Sequence, residues 1–140
     1  MRMKKRLPKK ARLLNANAIG ASYALGEEGL PKNLKKALFW YKVGAIQGDF
    51  IAQCNLAQMY FDGDVGKQFN LAKKWFISSA SQGDGQAMYY LGEIYRKGLG
   101  VKVNYPAAAS WYKKALLDGW PIHNATEWLN RYENTSNKTN

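Results

Sequence analysis

The segment Ala37-Leu38-Phe39-Trp40-Tyr41-Lys42-Val43-Gly44-Ala45-Ile46-Gln47-Gly48 comes back twice along the chain. It returns as Ala72-Lys73-Lys74-Trp75-Phe76-Ile77-Ser78-Ser79-Ala80-Ser81-Gln82-Gly83 and as Ala108-Ala109-Ser110-Trp111-Tyr112-Lys113-Lys114-Ala115-Leu116-Leu117-Asp118-Gly119. The Ala, Trp and Gly positions are spaced 35 and then 36 residues apart. A period of that length marks stacked supersecondary units. Within each copy the apolar and small residues fall at i, i+3, i+4, i+7, i+8 and i+11, one face of a helix.

A second ladder lies between the copies. Ala52, Leu56, Met59 and Tyr60 sit at i, i+4, i+7 and i+8, and Ala87, Leu91, Ile94 and Tyr95 repeat the pattern. Each unit therefore reads as a first helix, a glycine loop and a second helix. Gly48, Gly83 and Gly119 are placed to end second helices in a left-handed residue. Asp49 and Asp84 can cap the first helices that follow, and Asn33 and Asn104 the second helices. Gln68 stands where the second unit should have such a cap. Small residues beside Trp40, Trp75 and Trp111 suggest that the tryptophans fill the gap between close helices. Trp75, in the middle unit, is expected to matter most.

These segments resemble the Sel-one-like repeat, a relative of the tetratricopeptide repeat. The resemblance rests on residues 52 to 60 and 86 to 95, on Gly98-Leu99-Gly100-Val101 with Asn104, and on Trp111 through Gly119. It covers about residues 15 to 120. The first loop is longer than the pattern, Gly26 to Pro31, and the second is shorter. Some members brace their helix pairs with disulfides, but Cys54 is the only cysteine. The resemblance implies an all-α, right-handed α/α solenoid of about three helix-turn-helix repeats. Ala125, Trp128, Leu129 and Tyr132 add one apolar stripe, expected to be a C-terminal capping helix, since an end unit must shield its neighbour.

With 140 residues the chain is the size of one domain, and it is 46% hydrophobic, a globular composition. The expected organisation is a basic arm over 1–12, one repeat domain over 13–133 and a polar tail over 134–140. The net charge is +11, and seven of the 21 cations lie in the first twelve residues. That arm lacks the apolar run of a secretory signal, so the expected location is cytoplasmic. It makes binding to nucleic acid or an anionic surface the alternative reading. No stretch is long and apolar enough to span a membrane.

Little here points to catalysis. His123 is the only histidine, and beside Pro121 it reads as a turn residue. Gly98-Leu99-Gly100 follows a helix rather than a strand, and Gly66-Lys67-Gln68 lacks the Ser or Thr of a phosphate loop. No enzyme activity, cofactor or metal is expected. The lysine pairs Lys35-Lys36, Lys73-Lys74 and Lys113-Lys114 keep different offsets from their tryptophans, which reads as a solvated outer face.

In the resembled family the first helices line the concave surface. That places Ile51, Cys54, Gln58 and Phe61 of unit two, and Gln86, Tyr89, Glu93, Arg96 and Lys97 of unit three, on an inner recognition face. The expected function is a non-enzymatic protein–protein interaction module, a scaffold, adaptor or inhibitor-type subunit. It would be a monomer holding a peptide or protein in the groove.

Overall fold

The computed structural model describes residues 15–27, 29–123 and 125–138. The basic arm over 1–12 lies outside the described residues. The described residues form seven helices and no strand: α1 (Ala16–Leu25), α2 (Leu34–Ile46), α3 (Phe50–Asp62), α4 (Phe69–Ala80), α5 (Gly85–Lys97), α6 (Tyr105–Leu117) and α7 (Ala125–Lys138). Helices pack mainly on their chain neighbours, most closely within the pairs α1–α2, α3–α4 and α5–α6. Three helix pairs followed by one helix is the expected solenoid with its cap. The first helices α1 and α3 also touch directly.

The helix ends follow the sequence closely. Asp49 accepts from the Ile51 and Ala52 amides, and Asp84 from that of Gln86. Asn33 and Asn104 accept from Lys36 and Ala107. Gln68 makes no side-chain cap to α4. Each first helix ends on a left-handed glycine, Gly26, Gly63 or Gly98, with φ of 72°, 86° and 68°. This places Gly26, Gly63 and Gly98 in register, so Gly20, Ala57 and Gly92 occupy one repeat position.

That position explains the packing. A Cβ on Gly20 would come within 2.6 Å of the Tyr41 ring, and one on Gly92 within 2.5 Å of Cδ1 of Tyr112. Only a residue without a side chain lets these rings lie against the neighbouring helix. The residues filling the gap are thus Tyr41, Phe76 and Tyr112, all buried. Trp40, Trp75 and Trp111, expected to do this, are only half-buried. The reason is angular: one residue further along turns the side chain by about 100°, from the flank to the centre of the buried face.

The core runs along the array rather than collecting at one centre. One buried cluster joins units one to three, a second joins α6 to α7, and Met88 packs on both. Helix α7 buries Ala125 and Leu129 against unit three, as the cap reading required. It also continues to Lys138, so the polar tail expected from 134 is helical as far as 138. Once nucleated by the packed first turns, a helix extends through polar residues one backbone bond at a time. The Thr135 hydroxyl also donates to the Arg131 carbonyl.

Candidate functional site

The nine residues expected on the inner face fall into two groups. In unit two, Ile51 is half exposed at the start of α3. One turn further, Cys54 is buried. Burial, and then the charge and hydrogen bond of Asp84, push its thiol pKa well up, so Cys54 is a packing residue and is withdrawn from the face. Gln58 donates to the Tyr90 hydroxyl at 2.9 Å. Phe61 meets Phe69, Phe76 and Tyr90 edge-on, with centroids 5.1 to 6.1 Å apart.

In unit three, Gln86 and Tyr89 are partly exposed. Glu93 is buried, at 6% exposure, and is likewise withdrawn. It accepts hydrogen bonds from the Tyr112 hydroxyl and from Arg96 Nη2, the latter at 2.9 Å. Lys97 pairs with its other oxygen at 3.1 Å. Arg96 Nε also donates to the Tyr112 oxygen at 2.9 Å. Burial alone would raise the Glu93 pKa, but the hydrogen bonds from Tyr112, Arg96 and Lys97 outweigh it, and the pKa is lowered. The Tyr89 hydroxyl donates to Glu93 at 3.3 Å. Burial first, then the Glu93 charge, raises the Tyr89 pKa to about 12.

Tyr90 and His123 are further members of this region that the repeat spacing alone did not single out. Tyr90 stacks on Phe76 at 4.8 Å and so joins unit two to unit three. His123 adopts φ +48° in the turn before α7 and sets its ring edge-on to Tyr89 at 5.9 Å. No local pattern marks either role, because both partners belong to other elements. The side chains left accessible are Ile51, the edges of Gln58 and Phe61, Gln86, Tyr89, part of Arg96, and Lys97. A shallow recess of about 340 Å³ lies elsewhere, between Lys67 to Leu71 and Gly100, and none of the nine lines it. Among the described residues no three His, Cys, Asp or Glu side chains group to hold a metal ion. No helix among them is long and apolar enough to cross a membrane.

Three helix pairs, each packed on the next and closed by a seventh helix, define an α/α repeat protein. The Sel1 repeat family model matches residues 16–49, 51–84 and 85–119; the chain belongs to the Sel1 repeat family. It is similar to chitin synthase regulatory factor 3 of Schizosaccharomyces pombe, 29% identical over 74% of this chain and 11% of that protein. It is 33% identical to activator of C kinase protein 1 of Saccharomyces cerevisiae, over 68% of this chain and 17% of that protein. Among solved structures, a Sel1 repeat protein from Oxalobacter formigenes matches with a TM-score of 0.72 and 32% identity, covering 80% of this chain and 45% of that one. A protective antigen of uropathogenic Escherichia coli with an SLR fold matches at 0.71 and 36%, covering 74% and 22%. The chain thus spans a small part of the curated relatives it matches.

Proposed function

We propose that the chain is a non-enzymatic interaction module that holds a short segment of a partner protein on the exposed inner face of α3 and α5. The carrying observation is the change of chemistry between equivalent accessible positions of adjacent units. Ile51 of unit two corresponds to Gln86 of unit three, and Asp62 to Lys97. Stacking uses the buried faces of these helices and leaves such rim positions free to differ. Regulator names among the relatives support the reading.

The face suits a segment with an apolar side chain against Ile51 and the Phe61 edge, and an acid near Lys97. Arg96 and Lys97 share the single charge of Glu93, so one net positive charge is left for a ligand. Contacts of this size suit a transient partner. Affinity purification with mass spectrometry on the full chain tests it. Ile51→Glu and Lys97→Glu together should lose the partners that the wild type retains. An unchanged partner set with this double variant sinks the reading.

A further inference from the structure

The second helices carry a pattern that residue offsets conceal. Lys42 and Ile46, Lys73 and Ile77, and Lys113 and Leu117 are each four residues apart, one pair on each of α2, α4 and α6. Measured from Trp40 and Trp111, Lys42 and Lys113 stand at +2; Lys73 stands at −2 from Trp75. Those offsets differ by four residues, one turn with a remainder of about 40°. The three pairs therefore share one angular stripe, and the solvated-face argument from unequal offsets fails.

The stripe points to solvent. Ile46, Ile77 and Leu117 are 77%, 42% and 89% exposed. Lys35, Lys36, Lys74 and Lys114 lie beside it and are exposed. None of the three helices contains an acid. Among the described residues, Lys113 alone of the seven lysines pairs with a carboxylate, that of Glu133 at 2.8 Å.

We propose that this outer face docks the chain peripherally on an anionic phospholipid bilayer. The choice of occupant rests on three observations. All seven charges are lysines, so the face has no planar guanidinium fork to read base edges. The recess by Lys67 includes none of the stripe residues, so the stripe is not part of that cleft. The projecting aliphatics would be idle against a nucleic acid, but they fit the headgroup–acyl boundary while lysine ammoniums stay among the phosphates.

Sedimentation of the full chain with phosphatidylcholine vesicles, with and without phosphatidylserine, is the test, with heparin retention measured alongside. The wild type should bind only the phosphatidylserine vesicles. Lys42→Gln and Lys73→Gln should each lower partition about five-fold. Ile46→Ser with Leu117→Ser should lower vesicle partition several-fold and leave heparin retention unchanged; Leu117→Ser alone, at the most exposed position, guards against a folding defect. A chain with the seven cations of residues 2–12 replaced by Gln should still respond to these variants. The proposal fails if the wild type ignores phosphatidylserine, or if the serine variants bind vesicles as the wild type does. It also fails if binding vanishes with the arm cations alone. Parallel loss of heparin and vesicle binding with the serine variants would make the face a general polyanion surface and overturn it too.

Discussion

Units two and three fill the same slot in opposite ways. Gln58 corresponds to Glu93, Phe61 to Arg96 and Phe76 to Tyr112. In unit two the slot is apolar: Phe61 meets Phe76 edge-on at 6.1 Å, and Gln58 sits at its edge on the Tyr90 hydroxyl. In unit three it is a polar network, with Arg96 and the Tyr112 hydroxyl both on the Glu93 carboxylate. Arg96 then lies over the Trp128 ring at 5.9 Å, reaching the cap. The helix geometry is common to both units. What differs is the kind of energy that holds them: contact area in one, charge and hydrogen bonds in the other.

The largest effect should come from emptying the apolar slot. Phe76→Ala should cost about 3–5 kcal/mol in chemical denaturation and loosen units two and three together, because Tyr90 stacks on that ring. Trp75→Ala, at a half-buried rim position, should cost clearly less. If the two cost the same, the assignment of Phe76 to the gap is wrong.

Gly92→Ala should come next, at about 1–3 kcal/mol, since the added Cβ would meet the Tyr112 ring. Because the clash is with the Tyr112 ring itself, Gly92→Ala should be tolerated better when paired with a smaller side chain at Tyr112. A thermal melt of the single and double variants reads this coupling. Strict additivity would count against a direct clash.

Removing the charge of the polar slot should cost about 1–3 kcal/mol. Glu93→Gln leaves Arg96 short of its acid, with some solvent to compensate. It should also remove a pH response. Glu93 is lowered in the folded state, so its contribution is present above the unfolded carboxylate pKa of about 4.3. It is lost as pH falls through the lower folded value. Stability against pH should thus be flatter at the acid end in Glu93→Gln, and an identical profile would show that Glu93 titrates alike in both states.

The smallest effect should be at the cap. Trp128 is half-buried and stacks on Tyr132 at 5.3 Å. Trp128→Ala should cost about 1–2 kcal/mol, and amide exchange should show fraying confined to α7. If it loosens the whole chain as Phe76→Ala does, stability is shared through one centre and the unit-by-unit account fails.

The sequence by itself determined the repeat, its helix pairs and their ends. Those features are local: a 35-residue period, side chains three and four apart, and cap residues within three positions of the amides they serve. Only the tertiary structure decided that Tyr41, Phe76 and Tyr112, rather than the neighbouring tryptophans, fill the gaps. It likewise decided that Cys54 and Glu93 are buried and that Tyr90 and His123 meet Phe76 and Tyr89. Each of these depends on which side chain of another element stands opposite, and a contact across 14 to 34 residues leaves no mark in the spacing of either partner.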